Sequence, residues 1–459
     1  MSDILTPYCE TLKGKTVAVL GAGVSNKPLI DLLLAHGVPV TVRDRSGAEK
    51  FPPELLAAWT AGGAALRLGE DYLEELTEEV IFRSPGIMPH TPELARAVRN
   101  GSELTSEMEA FMALCPCPIT AVTGSDGKTT TTTILSEFLK AEGKTVHLGG
   151  NIGKPLLPEI GSIAPDHVVV AELSSFQLIS MRQGPDVAVV TNLAPNHLDI
   201  HKDMDEYVDA KKNLILHQDG FSRTVLNAGN EITAGFAPLV RGDCWQFSRT
   251  SEPHRGVFCD GEKILVNGQP LMSVSEIKLP GWHNVENYMA AIAAAWGDVS
   301  PENMRRVARE FGGVEHRMEF VRELNGVKYY NDSIASSPSR TISGTLSCYD
   351  KNLILICGGY DKHIPYEPLG APICQRVKEL ILMGHTAEKI EQAVLSCPQY
   401  SETHPNIHHV SDMQEAVSLA HELAAPGDVV SLSPASASFD LYPGFEARGR
   451  HFKELVSRL

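Results

Sequence analysis

"TGSDGKTTTT", residues 123–132, is the stretch on which the reading of this chain turns. A strict phosphate-binding loop places a glycine five residues ahead of its Gly-Lys pair. Val122 stands there, and the nearest upstream glycine is Gly124, three residues before Gly127. The flanks decide between a tightened phosphate cradle and an incidental Gly/Thr-rich turn. Residues Ile119 to Val122 predict a buried strand, and Ile134, Leu135, Phe138 and Leu139 form a helical apolar stripe stopped by Gly143. Strand, loop and helix in that order aim the amides of the helix start at an anion. Lys128 would then neutralise the β- and γ-phosphates of a nucleotide, and the Thr129 hydroxyl would meet a magnesium ion.

The same pattern repeats outward from the loop. Runs at Thr145 to Leu148, His167 to Ala171 and Val187 to Thr191 predict strands that end in GGNIG, ELSSFQ and NLAPNHLD. In open α/β sheets the ligand lies beyond the carboxyl ends of the strands, so these loops should converge. Glu172, directly after Val168-Val169-Val170-Ala171, is a candidate magnesium ligand, competing with a plain solvent-facing carboxylate. His197 and His201 are four residues apart, a spacing that could hold zinc, but no HExxH glutamate accompanies them; a role for His197 beside a hard cation is the better reading. Asn284 and Asn287 share one helix face after Gly281, as nucleotide-recognising amides or as caps. Arg317 follows an FGG turn from which a guanidinium could reach a γ-phosphate.

Upstream, Thr16 to Leu20, GAGVSN, a helical stretch through Leu34 and a strand over Val38 to Val42 make a βαβ start, with Asp44 close behind. This resembles a dinucleotide fingerprint, but Asn26 replaces its third glycine. A nucleotide-type pocket fits better than a hydride-carrying cofactor. Val80 to Phe82 leads to SPGIMPH, whose Ser84, Pro85 and Gly86 should face the same strand ends. Downstream, Asn325-Gly326 predicts a hairpin, and strands at Leu353 to Cys357, Leu380 to Met383 and Val429 to Leu432 end in GGYDK, GHT and SPASASFD. Lys362 and Ser438 follow two of these strands and could bind a second, carboxylate-bearing substrate. The expected organisation is α/β with three domains, residues 1–106, 107–314 and 315–459.

Composition limits the partners. The chain has 459 residues, 43% hydrophobic and 21% charged, which fits a globular protein of several domains. A net charge of -17 argues against bulk nucleic-acid or anionic-membrane binding. No apolar run reaches a membrane span, and the opening MSDILTPYCE lacks the plan of a signal peptide. Nine scattered cysteines are expected as free thiols in the cytoplasm.

Taken in order, GSDGKTT, GGNIG, AELSSFQL, NHLD, YVDAKK, GWHNVEN, FGGVEHRME, NDSIAS, GGYDK and LSPASASFD resemble the Mur ligase family over most of the chain. The LSPASASFD stretch with Gly444-Phe445 is similar to the branch that adds D-glutamate, and the DNPR motif of the diamino-acid-adding branches is absent. The resemblance implies an N-terminal Rossmann-like UDP-binding domain, a central P-loop-type ATPase domain and a C-terminal Rossmann-like domain. It implies ATP-dependent ligation of D-glutamate to UDP-N-acetylmuramoyl-L-alanine in peptidoglycan precursor synthesis, with two magnesium ions, by a cytoplasmic monomer.

It also implies residue roles. Gly124, Ser125, Asp126, Gly127, Lys128, Thr129 and Thr130 match the family's shortened ATP loop, with Asp126 in place of an asparagine. Glu172 and His197 match metal-site positions, and Lys211 of YVDAKK matches a lysine carbamylated in relatives, although Lys212 adjoins it. Asn284, Asn287, Arg317 and Asp332 match nucleotide-contacting positions. Val24, Ser25, Asp44, Arg45, Ser84 and Gly86 fall to the UDP end. Asn151, Ser174, Gln177 and His197 fall to the muramyl end, and Ser336, Lys362, Ser438 and Phe445 to D-glutamate. Ile334 stands where the family carries a lysine, removing one cation, so another residue is expected to substitute or affinity to be lower. Closure between domains is expected. The rival readings are a folylpolyglutamate-like or other Mur-type ligase, a dinucleotide-dependent oxidoreductase and a non-catalytic nucleotide-binding regulator.

Overall fold

The computed structural model describes residues 4–401 and 404–459; the first three residues of MSDILTPYCE lie outside the described residues. Three sheets carry the fold. The first is all parallel, with strands β1 (Val17–Leu20), β2 (Thr41–Asp44), β3 (Ala65–Leu68), β4 (Val80–Arg83) and β5 (Glu103–Thr105) in the order β3-β2-β1-β4-β5. Crossover helices, among them Asn26–Ala35 and Pro92–Arg99, cover both faces, which is why β1 and β4 are buried along their length.

The second sheet has nine strands: β6 (Ile119–Thr123), β7 (Val146–Gly150), β8 (Val168–Glu172), β9 (Val187–Val190), β10 (Arg223–Asn227), β11 (Asp243–Ser248), β12 (Gly256–Cys259), β13 (Lys263–Val266) and β14 (Gln269–Ser273). Their order is β14-β13-β12-β11-β10-β9-β6-β8-β7, parallel from β7 to β12 and closed by an antiparallel β12-β13-β14 meander. β6 lies between β8 and β9, so the loops after these three strands emerge side by side. One continuous core runs from Leu5 through Phe111 and Val169 to Phe236 and joins the first two sheets.

The third sheet has β15 (Glu319–Leu324), β16 (Val327–Asn331), β17 (Leu353–Cys357), β18 (Val377–Leu382), β19 (Asn406–His409) and β20 (Val429–Leu432), ordered β15-β16-β20-β17-β18-β19. The β15-β16 hairpin turns at Asn325-Gly326, both at positive φ, and the remaining pairs are parallel. The chain forms two compact units. One contains the first two sheets and residues 283–309; the other contains residues 277–282 and 310–459.

Several elements differ from expectation. The strand expected over Val38 to Val42 begins at Thr41, because Val38 N is still bonded at 2.9 Å to Leu33 O at the end of the preceding helix. The strand expected over Leu380 to Met383 starts earlier, at Val377.

Candidate active site

β6 delivers the chain into the loop 124–127, and helix Lys128–Ala141 leaves it. Gly124 and Gly127 take φ of 151° and 76°. A Cβ on Gly124 would overlap the Thr191 hydroxyl, and one on Gly127 would overlap Oδ1 of Asn287, so neighbours press against both glycines. The loop is anchored from the strand β9 side: Ser125 N donates to Asn192 O at 2.8 Å, Asp126 N to Asn192 Oδ1 at 2.9 Å, and Thr191 Oγ1 to Asp126 O at 2.6 Å. These bonds orient the Asp126 backbone and leave its side chain exposed. Lys128 Nζ folds back onto the carbonyls of Gly124 and Ser125, at 3.0 and 2.9 Å.

Glu172, at the end of β8, is 2% exposed. Its Oε2 accepts the Thr129 hydroxyl at 2.7 Å and its Oε1 accepts Asn151 Nδ2 at 2.9 Å. Lys211, on helix Met204–Leu216, is 1% exposed. Its ammonium donates to Thr123 Oγ1 and Gly124 O at 3.1 and 2.9 Å and sits 4.9 Å from the Tyr207 ring centre. Burial first, and the Lys128 charge second, push its pKa well below the usual lysine value. Lys212 instead pairs with Asp209 on the surface, which separates the two adjacent lysines.

His197, at φ 56°, is held below the usual imidazole pKa by partial burial and by Lys128. The zinc reading of His197 with His201 is not supported. Both ring nitrogens of His201 are engaged elsewhere, with Glu206 Oε1 at 3.1 Å and Ser175 Oγ at 2.9 Å. Among the described residues no group of three His, Cys, Asp or Glu side chains is placed to hold a metal. Thr129 and Glu172 do offer neighbouring oxygen donors of the kind a hard divalent cation takes, so these residues fit magnesium.

Thr131 Oγ1 donates to Asn287 Oδ1 at 3.3 Å, and Asn287 Nδ2 to Asn284 Oδ1 at 3.2 Å, so both asparagines underlie the phosphate loop. Ser174 and Gln177 cap one another across the first turn of helix Ser175–Leu178, an alternative use for both groups. A cavity of about 190 Å³ is lined by Val24, Ser25 and Pro85 from the first sheet and by Gly150, Asn151, Gly153, Pro155 and Gln177 from the second. Ser84 and Gly86 flank Pro85. Asp44 braces this region by accepting Ala22 N and Ser46 N, both at 2.7 Å, while Arg45 pairs with Glu70 on the surface.

In the other unit, Asp332 Oδ2 accepts the hydroxyls of Thr345 and Ser433, both at 2.9 Å, and burial raises its pKa to about 6, opposed by these bonds and by Arg317. Ser438 is buried, with its carbonyl accepting Leu441 N and Tyr442 N. Phe445 meets His316 edge-on at 5.9 Å, and Lys362 is exposed between Asp361 and His363. Ser336 N donates to Ile334 O at 2.7 Å, and Arg340 Nη1 reaches the same carbonyl at 3.4 Å. A guanidinium from helix Pro338–Ser343, which sequence reading passed over, thus lies beside this loop. Sequence reading also passed over Arg448, whose guanidinium joins Ser333 to the carbonyls of Ser436 and Ala437.

Comparison with known proteins bears on both units. The family model for the Mur ligase middle domain matches residues 122–295, and that for the Mur ligase glutamate ligase domain matches residues 316–436. The UDP-N-acetylmuramoylalanine--D-glutamate ligase of Ruminiclostridium cellulolyticum is 48% identical over 466 residues, and that of Clostridium botulinum strain Alaska E43 is 47% identical over 460, each covering 100% of both chains. Among solved structures, the UDP-N-acetylmuramate-alanine ligase of Thermotoga maritima superposes with a TM-score of 0.58 at 16% identity, covering 97% of this chain and 99% of that one. The D-alanyl-D-alanyl-adding ligase of Acinetobacter baumannii gives 0.57 at 14%, covering 91% and 90%. At such identities the structural likeness speaks to the fold alone.

Proposed function

The chain belongs to the Mur ligase family, and on that premise we propose that it joins D-glutamate to UDP-N-acetylmuramoyl-L-alanine at the expense of ATP, in peptidoglycan precursor synthesis. The observation that carries the site assignment is the cavity of about 190 Å³ that runs from the GAGVSN and SPGI loops to Asn151 and Gln177. It connects a nucleotide-type βαβ turn to the loops beside Glu172 and the phosphate cradle, as a sugar nucleotide reacting at its far end requires.

A carboxylate is a poor electrophile. The alanyl carboxylate therefore attacks the γ-phosphorus of ATP, ADP leaves, and the acyl phosphate so formed is attacked by the D-glutamate amine. The tetrahedral intermediate expels phosphate and leaves an amide. Such phosphoryl transfer is catalysed mainly by positioning and charge neutralisation. Lys128 and the amides of 124–130 hold the β- and γ-phosphates, Arg317 adds positive charge, and Asn284, Asn287 and Asp332 serve the nucleoside. Val24, Ser25, Asp44, Arg45, Ser84 and Gly86 serve UDP. Asn151, Ser174, Gln177 and His197 serve the muramyl end, and Ser336, Lys362, Ser438 and Phe445 serve D-glutamate. Magnesium, when bound, screens the transferring phosphoryl group; Thr129 and Glu172 would hold one ion, and His197 and carbamylated Lys211 would support a second. The deep burial of Lys211 beside Thr123 and Gly124 supports that modification, since it favours the uncharged amine that carbon dioxide needs.

Domain limits of 1–106, 107–314 and 315–459 accord with one sheet in each. Among the described residues no helix is long and apolar enough to cross a membrane. A cytoplasmic monomer is the proposed state; sedimentation would check the monomer. The defining experiment supplies ATP, UDP-N-acetylmuramoyl-L-alanine and single amino acids and measures phosphate. Release that depends on D-glutamate is expected, and its absence would overturn the proposal. Carbon-13 bicarbonate should give a carbamate resonance that Lys211→Arg lacks.

A further inference from the structure

Arg83 ends β4, just ahead of the SPGI turn, and is 1% exposed. Its guanidinium is forked between two parts of the fold. Nη1 donates to the carbonyls of Ser84, Pro85 and Ile87, at 3.2, 3.3 and 2.8 Å, and so gathers the SPGI turn around itself. Nη2 crosses to the second sheet and donates to Phe176 O at 2.7 Å and Ser180 Oγ at 3.0 Å. Phe176 belongs to the helix Ser175–Leu178 that follows Glu172 and Ser174. Its ring stacks on His201 with centroids 5.1 Å apart and meets His197 edge-on at 5.1 Å. The turn that flanks the first-sheet side of the cavity and the helix that flanks its second-sheet side are therefore fastened to one side chain.

Stability alone is a weak reason for such a group. Among the described residues Arg83 forms no ion pair. The carboxylate that faces it is Glu109, whose Oε1 is engaged by Arg182 N and Nε. Among the same residues, Arg83 Nε and Glu109 Oε2 are buried with no hydrogen-bond partner. Burying a guanidinium on these terms carries a large desolvation penalty, and an apolar side chain of similar volume would often serve the core as well or better. What an apolar side chain cannot do is grip carbonyls on both sides of a ligand cavity at fixed spacing.

We infer that Arg83 is a positioning residue that fixes the spacing between the two halves of the sugar-nucleotide cavity. It rests on the proposed function for the identity of that ligand. It touches neither end of the ligand; it holds the nucleotide-side turn against the helix that abuts His197, so that one molecule can occupy both halves at once. Linked occupancy of that kind raises affinity only while the two subsites keep their separation.

The test compares a ligand that fills one half with one that spans both. Full-length Arg83→Met and wild-type proteins are titrated with UDP, with UDP-N-acetylmuramoyl-L-alanine and with ATP, and kcat and KM are measured for each substrate. Expected for Arg83→Met is an unchanged Kd for ATP, a Kd for UDP weakened only slightly through the SPGI turn, at least a tenfold weaker Kd for UDP-N-acetylmuramoyl-L-alanine, and a kcat lowered at saturation. Equal losses for UDP and the whole sugar nucleotide, or no loss for either, would overturn the inference. Arg83→Lys, which keeps the charge but not the fork, should show the same selective loss in smaller measure, and it decides the matter if Arg83→Met does not fold. Failure of the functional proposal would look different: wild-type protein would itself fail to prefer the sugar nucleotide over UDP.

Discussion

The Thr129 hydroxyl and the Glu172 carboxylate, on different elements, share a 2.7 Å hydrogen bond at the mouth of the phosphate loop. A divalent ion arriving there would find both oxygens within reach of one coordination sphere. Thr129→Ala is expected to raise the magnesium concentration for half-maximal phosphate release, and Thr129→Ser to leave it near wild type. Asn151→Ala, which frees Glu172 Oε1, should raise that concentration on the order of 10- to 100-fold, and Glu172→Gln by at least as much. Magnesium titrations of phosphate release check all four; an unmoved half-saturation point in Thr129→Ala would remove the metal site from this position.

Gly127 and Gly143 allow a controlled comparison, because they flank the same helix with φ of 76° and 84°. An alanine at either position carries left-handed strain of about 1 kcal/mol. Only at Gly127 does the new Cβ also strike Asn287; around Gly143 there is open space. Both variants should melt slightly earlier, while ATP affinity measured by calorimetry should fall more than about tenfold for Gly127→Ala alone.

Asp126 places an exposed carboxylate beside an anion site. Asp126→Asn removes one repulsion while retaining the bonds made through the backbone. A gain in ATP affinity of about threefold is expected at low ionic strength, fading as salt screens the charge. A loss of affinity would show instead that the carboxylate assists magnesium.

Glu107 is buried with its Oε1 accepting Leu157 N at 2.7 Å, and burial raises its pKa to about 7 despite that bond. A carboxyl raised in the folded state contributes stability that is full below about pH 4.5 and is lost as pH rises through about 7. The maximum effect is about 3 kcal/mol. In Glu107→Gln the thermal midpoint should fall less steeply between these limits than in wild type; parallel melting profiles would count against a raised carboxyl.

Much of this was legible in the residues themselves. The apolar β-branched runs before GSDGK, ELSSFQ and NLAPN predict β6, β8 and β9, and parallel neighbours must deliver their loops to one edge. Asn325-Gly326 predicts its hairpin because both residues tolerate positive φ. By contrast β3 alternates over only four residues, Leu66 and Leu68 inward and Ala65 and Arg67 exposed, and β19, with two histidines, has a single apolar residue; such short patterns do not mark a strand, and their neighbours in the sheet define them. The phosphate cradle was visible as a local motif. Arg83 and Arg340 were not, because a single arginine carries no spacing, and only the fold shows which distant carbonyls it reaches. The mutual capping of Ser174 and Gln177 was hidden for the same reason.

Asn151 is joined to Glu172 twice, once through its backbone N–H to the Glu172 carbonyl at 2.7 Å and once through its side chain to Oε1. Gly150, at φ 96°, lets the two backbones approach so closely that a Cβ would overlap that carbonyl. The reciprocity of linked equilibria then governs how an inhibitor would behave. A compound that engages Asn151 should bind with an affinity that depends on magnesium, and should tighten the metal by the same factor. A compound confined to the GAGVSN and SPGI turns should be indifferent to the ion. Adding a chelator during screening would therefore sort the two classes of hit by affinity alone.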